Sequence, residues 1–189
     1  MKVIFLDIDG VLNSRHWYTS NHKKHPEKCK IDTAINPRLI SNLKKIINKT
    51  GAKIVLSASC RRDVKTNKNH NFKKIFQTYG IEIYDYTPYT GMDRGIDIQE
   101  WLNHHLDVTN IAILDDDTDM CHLMEYLVKT YNHSKIKIKE KWYSIPIPFW
   151  WYFREGLTNK KVKETIRMLN KPFINKMVKQ ITHNMRKSF

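Results

Sequence analysis

Three short, mainly apolar runs constrain the fold of this chain more than any other feature of its sequence. They lie at residues 3–6, 53–56 and 111–114, and each ends abruptly in polar residues. Runs of this length are typical of strands that are buried on both faces of a parallel sheet. Stretches in which apolar residues recur at helical spacing separate them. This alternation predicts an α/β fold, a three-layer doubly wound parallel sheet.

The stretches between and after these runs predict the remaining elements. Pro37 and Gly51 suit the first turn and the end of a helix with an apolar stripe of Leu39, Ile40, Leu43, Ile46 and Ile47. A fourth strand is predicted at 81–84. Further helices are predicted around Ile98, Trp101 and Leu102, around Met120, Leu123, Met124, Leu127 and Val128, and around Val162, Ile166 and Leu169.

The polar residues that close the runs are expected to meet, although they are far apart in the sequence. Asp7 and Asp9 follow the first run, Ser57 follows the second, and three aspartates at 115–117 follow the third. In doubly wound sheets the ligand binds beyond the carboxyl ends of the strands. The pattern therefore predicts one site at that edge of the sheet.

Asp7 and Asp9 are the strongest local signal for such a site. Side chains alternate along a strand, so both carboxylates would point the same way if the first strand continued through them. Like charges beside an apolar core require a cation or a proton between them. Gly10 permits a tight turn that places both carboxylates at a mouth. The alternative interpretation is an ordinary strand followed by an Asp-Gly turn.

The convergent residues suit a hard metal ion together with a phosphate. Carboxylate oxygens are the ligands that Mg²⁺ prefers, and Ca²⁺ or Mn²⁺ would also fit. No cysteine or histidine belongs to this pattern, which argues against Zn²⁺ there. Ser57 can donate a hydrogen bond to a phosphate oxygen, and Arg61 or Arg94 can neutralise the phosphate charge.

These motifs resemble those of the haloacid dehalogenase-like (HAD) phosphohydrolases. The segment D-I-D-G-V-L at 7–12 is similar to their first motif, D-x-D-G-[TV]. Ser57 at a strand end is similar to their second motif, and Asp115-Asp116 with Asp119 is similar to their acidic fourth motif. The resemblance extends from the N-terminus to about Asp119, and the combination is much more specific than any one motif.

The chain resembles more closely the HAD domains of Swiss-army-knife RNA-repair proteins and, more loosely, the phosphatase domain of polynucleotide kinase-phosphatases. The shared features are a serine-rich turn with Arg61, Arg94 ahead of a helix with Trp101-Leu102, and Gly-Leu-Thr at 156–158 before a last helix. Cys60 departs from the pattern, which has an aromatic residue, usually tryptophan, at this position.

The resemblance implies a role for each residue of the predicted site. Asp7 would be the nucleophile that forms an aspartyl-phosphate, and Asp9 would be the acid and base. Arg94 would be the basic residue of the third motif. The implied phosphate-binding residues are Ser57, Ala58, Arg61 and Arg94. The implied ligands of Mg²⁺ are Asp7, Asp9, Asp115, Asp116 and Asp119, and the register within 115–117 stays open.

Composition limits the domain organisation, the binding partners and the cellular location that can be expected for the protein. Its 189 residues suffice for a HAD-like domain at 1–170 and a basic amphipathic helix or tail at 171–189. The formal net charge of +14 favours phosphate-rich or anionic partners. Three scattered cysteines fit a reducing compartment. We expect a soluble, intracellular protein of the cytoplasm or nucleus, with no integral membrane association.

Several stretches carry alternative interpretations. A candidate substrate loop of Arg15, His16, Trp17 and Tyr18 could stack a base and steer phosphate, or it could be merely solvated. The aromatic residues at 142–153 could cover the core or form a base-stacking platform. The basic tail could contact phosphates or a membrane surface, or be a solvated helix face. His22, His25 and Cys29 have the residue types of a zinc site without a specific spacing.

The intervals between the predicted strands are too short for a large cap domain, so we expect an open site. The leading hypothesis is a Mg²⁺-dependent phosphomonoesterase that acts through an aspartyl-phosphate on RNA or DNA ends (3′-phosphate) or on nucleotides. The alternatives are a nucleic-acid or membrane-surface binding protein that keeps the HAD fold with little turnover, and a phosphoprotein phosphatase.

Overall fold

Five parallel strands form the central sheet in the order β3-β2-β1-β4-β5. The computed structural model describes residues 1–14, 17, 35–65, 70–131, 136–138, 141–143 and 155–173. The strands are β1 Lys2–Leu6, β2 Lys53–Leu56, β3 Ile83–Tyr86, β4 Asn110–Asp115 and β5 Leu127–Lys129. Because β2 and β3 lie on one side of β1 while β4 and β5 lie on the other, the chain reverses direction across the sheet between β1 and β4. This is the topological switch point, where doubly wound sheets bind ligands.

Helices cover both faces of the sheet, which confirms the predicted α/β layering. They are α1 Pro37–Thr50, α2 Arg61–Lys65, α3 His70–Thr78, α4 Arg94–Asn103 and α5 Asn159–Met168, with a 3-10 helix at Cys121–Tyr126. Leu43, Phe76 and Leu169 belong to the core on the face covered by α1, α3 and α5. Trp101 and Leu123 belong to the core on the other face, beneath α4 and the 3-10 helix.

The central strand β1 supplies both cores. Ile4 and Leu6 pack on one face and Val3 and Phe5 on the other, and all four are fully buried. This is the alternation that a strand requires when both of its faces are covered. The continuous apolar run at residues 3–6 therefore suits the central position of β1, and the polar site residues follow its carboxyl end.

Helix α1 begins and ends at the residues that the sequence indicates. The Asn36 side chain accepts a hydrogen bond from the Arg38 N–H at 2.9 Å, and Pro37 occupies the first turn. Gly51 ends the helix in the left-handed conformation, with φ of 66°, and its N–H donates to the Ile47 carbonyl at 2.8 Å. These caps satisfy backbone groups that the helix itself leaves unpaired.

Two sequence predictions differ from the structure. The fourth strand spans Ile83–Tyr86 rather than 81–84, although Ile81 is buried as expected. The prediction of one helix through Leu127 and Val128 was wrong, because a 3-10 helix ends at Tyr126 and these two residues begin β5. An apolar run this short fits a helix stripe and a buried strand equally well.

The remaining described elements are a two-stranded antiparallel hairpin, β6 Ile136–Ile138 and β7 Lys141–Tyr143. Of the aromatic segment, residues 144–153 lie outside the described residues. So do His22, His25 and Cys29, and residues 174–189 of the predicted tail. The domain division at residue 170 and the absence of a large cap domain stay predictions. No helix within the described ranges is both long and apolar enough to cross a bilayer.

Candidate active site

Polar residues follow the strands at one edge of the sheet, and backbone hydrogen bonds fix them there. The Asp7 N–H donates to the Leu114 carbonyl at 2.9 Å, and the Ser57 N–H donates to the Leu6 carbonyl at 2.9 Å. The Thr130 N–H, after β5, donates to the carbonyl of Asp115 at 2.8 Å. The sheet ladder thus continues one residue past β1, β2 and β5, which aligns Asp7, Ser57 and Thr130 along the carboxyl edge.

Three carboxylates converge at the switch point. Asp7, Asp115 and Asp116 each offer an oxygen atom within 4.8 Å of the others. Arg94, in the first turn of α4, forms ion pairs with Asp7 at 3.0 Å and with Asp115. One guanidinium therefore faces three carboxylates, and Asp7 and Asp115 are buried.

This surplus of negative charge is visible in the acid–base behaviour of the cluster. Burial and the nearby carboxylate of Asp115 raise the pKa of Asp7 to about 8 although Arg94 opposes them. Burial and Asp115 raise the pKa of Asp116 to about 6. Burial also raises the pKa of Asp115. Burial alone would lower the pKa of Arg94, but Asp7, Asp115 and Asp119 raise it above its usual value. The carboxylates need more positive charge than Arg94 supplies.

Gly10 permits the close approach of the two loops that carry these acids. Its φ is 74°, and a Cβ at this position would overlap the carboxylate of Asp116. Thr130 directly follows β5, and its hydroxyl donates to the Gly10 carbonyl at 2.8 Å, which stabilises the turn after β1. Position 10 therefore requires glycine, because its φ is positive and because any Cβ would overlap the Asp116 side chain.

Ser57 and Ala58 form the turn after β2. The Ser57 hydroxyl is buried and makes no hydrogen bond to any described residue. An unpaired buried hydroxyl is costly in a fold, so its persistence favours a ligand that accepts its hydrogen bond. Ala58 is buried, and its carbonyl accepts a hydrogen bond from Arg61 at 2.9 Å.

The contacts of the Arg61 side chain differ from those expected of a phosphate-binding residue. All of its guanidinium N–H groups are engaged, by the carbonyls of Ser57, Ala58, Thr87 and Pro88 and by the carboxylate of Asp97. Arg61 thus holds two loops together in this structure, and its donors are already occupied by these partners. Its side chain is only 5 % exposed.

Asp9 lies apart from the carboxylate cluster. Its side chain is exposed, and it accepts a hydrogen bond from the Asn13 side-chain amide at 2.7 Å. Strand β1 ends at Leu6, so the alternation that would align Asp7 with Asp9 does not extend that far. The structure thus gives no support to Asp9 as a metal ligand through its side chain.

Asp119 also has a different position from the one predicted. One carboxylate oxygen accepts the Arg94 N–H at 3.1 Å, and the Asp119 carbonyl accepts the Gly95 N–H at 2.9 Å. Asp119 therefore caps the start of α4, where a negative charge is favourable. It fixes Arg94 and does not belong to the group of three acids.

Of the candidate substrate loop, only Trp17 is among the described residues, and its N–H donates to the Ser14 hydroxyl at 3.2 Å. Arg15, His16 and Tyr18 lie outside them. Sequence analysis missed Thr130 because its strand was assigned to a helix. It missed Asp97 because an acid in the first turn of a helix is common without any other role.

The donor set fits a magnesium ion. Asp7, Asp115 and Asp116 provide hard oxygen ligands, and burial, with repulsion from Asp115, raises the pKa values of Asp7 and Asp116; a divalent cation would stabilise their charged forms. No nitrogen or sulfur atom belongs to this group, which the described residues form from carboxylates alone.

Comparisons with known proteins agree with this geometry. A family model described as "HAD domain in Swiss Army Knife RNA repair proteins" matches residues 3–137, which include the whole cluster, Ser57 and both arginines. No match was found among curated proteins or among solved structures.

Proposed function

Because the chain belongs to the family of HAD domains in Swiss Army Knife RNA repair proteins, we propose that it is a Mg²⁺-dependent phosphomonoesterase that acts on nucleic-acid ends or nucleotides. At the family level the match supports a phosphatase-type hydrolase. The observation that carries the proposal is the cluster of three carboxylates, with Arg94 and the unpartnered Ser57 hydroxyl at the same edge of the sheet. Such a site offers ligands to a cation and donors to a phosphate.

Asp7, Asp115 and Asp116 would hold the magnesium ion. Its charge, when bound, would offset the repulsion between these carboxylates and an incoming phosphate dianion. Arg94 keeps Asp7 and Asp115 in place through its ion pairs. The three acids must be deprotonated to bind a metal, so the raised pKa values predict that binding strengthens as the pH rises.

Asp7 would act as the nucleophile. One of its carboxylate oxygens attacks phosphorus, an aspartyl-phosphate bond forms, and the bond from phosphorus to the leaving oxygen breaks. The ion pair with Arg94 orients the carboxylate for this attack. Arg94 and Ser57 would neutralise and bind the phosphoryl oxygens as charge develops on them.

Asp9 would move the protons, and its exposure suits that role. In its acid form it gives a proton to the leaving oxygen, and as a carboxylate it then takes a proton from the attacking water. That water forms a bond to phosphorus, the aspartyl-phosphate bond breaks, and inorganic phosphate leaves. The hydrogen bond from Asn13 orients Asp9, and the Gly10 N–H in turn holds Asn13 at 2.9 Å.

Initial rates on a substrate panel test the proposal. The panel contains glycerol 2-phosphate, nucleoside 3′- and 5′-monophosphates, and RNA and DNA oligonucleotides with a 3′-phosphate. We expect turnover that needs Mg²⁺, stops on chelation, and is faster on the oligonucleotide 3′ ends than on free nucleotides. Undiminished turnover after chelation, or no turnover of any phosphoester, would refute the activity. Equal rates on ends and free nucleotides would refute only the preference for nucleic-acid ends.

The net charge of +14 supports a second candidate, a nucleic-acid binding protein with little turnover. Binding by charge alone weakens steeply as salt increases, because each phosphate contact releases counterions. The two candidates separate in one experiment. Steeply salt-dependent binding without turnover of the panel favours the second, whereas Mg²⁺-dependent turnover favours the first.

A further inference from the structure

The segment that joins β3 to α4 has both of its ends in the candidate active site. We call residues 87–93 the β3–α4 loop. The N–H of Thr87 donates to the carbonyl of Leu56, the residue before Ser57, at 3.1 Å. Directly after the loop comes Arg94, which forms the ion pair with Asp7. The loop therefore runs along the edge of the sheet where the reaction would take place.

A buried ion pair holds this loop in one conformation. The Arg61 guanidinium donates to the carbonyls of Ser57 and Pro88, each at 2.9 Å, so the loop passes beside the turn that carries Ser57. Arg61 also pairs with Asp97, which accepts the Thr90 N–H at 3.0 Å and the Thr90 hydroxyl at 2.7 Å. The backbone is thus fixed on both sides of the residue between them.

That residue is Tyr89, and its ring is open to solvent. It is 55 % exposed, and Met92 in the same loop is 69 % exposed. The guanidinium groups of Arg61 and Arg62 lie 5.1 Å and 5.2 Å from the centre of the Tyr89 ring. A large aromatic side chain that is held at its backbone, supported by cations and exposed beside a site is pre-organised for contact with a ligand.

We propose that Tyr89 and Met92 bind the nucleobase next to the phosphate that is removed, which makes the β3–α4 loop a specificity surface for nucleic-acid ends. This inference rests on the proposed function. A base presents a flat π face that stacks on a tyrosine ring, and the phosphates of its backbone complement the positive charge of the exposed Arg62. The locked backbone means that little conformational freedom is lost when the base binds.

Two properties favour a nucleobase over a peptide as the occupant. Within residues 87–93 the large apolar side chains that are exposed are those of Tyr89 and Met92, which match one base rather than the extended groove that a peptide strand requires. The Arg62 guanidinium lies 5.2 Å from the centre of the Tyr89 ring, so a base stacked on this ring would have its phosphate near a positive charge. A phosphopeptide that competes equally well for the loop is the result that would replace the nucleic acid with a protein substrate.

The test combines substitutions at residue 89 with changes to the terminal nucleotide of the ligand. All proteins are the 189-residue chain with Asp7→Asn, which should bind the substrate without turnover. The probes are fluorescent oligonucleotides with a 3′-phosphate whose terminal nucleotide is either normal or abasic. Binding is measured by anisotropy in Mg²⁺ at fixed ionic strength. We expect Tyr89→Ala to weaken binding of the normal end about 10-fold, as for one stacked base. The abasic end should bind both proteins equally weakly, and Tyr89→Trp should restore binding of the normal end.

Tyr84 provides the matched control. It is 47 % exposed and has the Lys53 ammonium 5.8 Å from its ring, but it lies within β3 rather than beyond its carboxyl end. Tyr84→Ala should leave both affinities unchanged. Equal losses for the normal and the abasic end in Tyr89→Ala, or no loss at all, would overturn the proposal. Because binding is measured without turnover, these outcomes stand apart from a failure of the proposed phosphatase activity.

Discussion

Arg94 and Arg61 are two buried arginines on neighbouring parts of one sheet edge, and each pairs with an aspartate, yet their surroundings are opposite. Arg94 is 15 % exposed and faces three carboxylates. Arg61 is 5 % exposed, has a single carboxylate partner, and donates its other hydrogen bonds to carbonyls. The first group has unbalanced charge, whereas the second is neutral and fully hydrogen-bonded.

The difference supports Arg94, rather than Arg61, as the arginine of the proposed active site. A neutral, saturated pair has nothing left to bind and stabilises the arrangement of its loops. A cluster with excess negative charge and an unpaired hydroxyl nearby is stable only with a further partner, such as a cation and a phosphate. The proposed active site lies where polar groups of the fold lack hydrogen-bond or charge partners among the described residues.

The largest expected effect is on kcat, and it is tested by replacing one aspartate with asparagine beside each arginine. Asp7→Asn should lower kcat on any accepted phosphoester about 10⁴-fold, because the amide cannot attack phosphorus. At high pH its unfolding temperature should not fall, since the change removes a buried charge. Asp97→Asn is the matched control and should keep kcat within a few-fold. Comparable losses of kcat in both variants would contradict the assignment.

For stability the order should be reversed, with a larger loss on substitution of Asp97 than of Asp7. Asp97→Ala leaves the Arg61 charge buried without its carboxylate, so we expect the free energy of unfolding to fall by about 3–5 kcal/mol. Urea denaturation followed by circular dichroism measures it. If Asp97→Ala costs less than about 1 kcal/mol, the typical value for exposed pairs, the structural role of this pair is wrong.

Substitution of Arg94 should affect kcat/KM, whereas substitution of Arg61 should affect stability. Arg94→Ala should lower kcat/KM about 10²-fold, the usual loss for one group that stabilises developing charge. Lysine at this position should restore part of the activity, because a positive charge is what the site requires. Arg61→Lys should instead lower the unfolding temperature, because an ammonium cannot make the same set of planar hydrogen bonds. A loss of activity in Arg61→Lys without a loss of stability would reverse the comparison.

The pH dependence of stability is a further test of the carboxylate cluster. The pKa values of about 8 for Asp7 and about 6 for Asp116 lie above the ordinary value of 3.8, so the folded metal-free protein retains protons that the unfolded chain releases. These two acids should therefore reduce stability progressively as the pH rises from about 4 to about 8. Mg²⁺ should oppose this, by about 3 kcal/mol at 100 times its dissociation constant.

Calorimetric unfolding at about pH 5.5 and about pH 9, with and without Mg²⁺, measures this effect. The stabilisation by Mg²⁺ should be larger at the higher pH, where protons no longer compete for the carboxylates. Asp116→Asn should reduce it, whereas Asp97→Ala should not. Equal stabilisation at both pH values would show that the three acids are not the metal site.

The sequence predicted the framework of the sheet well because that framework depends on local patterns. The apolar runs of β1, β2 and β4 and the caps of α1 are each determined by a few neighbouring residues. The convergence of polar residues followed from a general rule of doubly wound sheets. The strand β5 was missed because three residues cannot show a period.

The roles of the two arginines and of Asp9 could not be predicted in the same way. Both arginines precede or begin helices near strand ends, and only their partners, Asp97 for one and Asp7 with Asp115 for the other, distinguish them. Those partners are determined by packing across the sheet. Asp9 was placed beside Asp7 on the assumption of a longer strand, whereas β1 ends one residue before Asp7.

The central position of β1 has a consequence for the order of folding. The pairing of β1 with β4, which sets Leu6 opposite Leu114, is what brings Asp7 to Asp115. No acid cluster can exist until the chain beyond β4 has been synthesised and that long loop has closed, which makes this contact slow to form. The proposed affinity for a divalent cation would therefore arise only as a late event of folding, and nascent chains that still lack β4 would be unable to bind the ion.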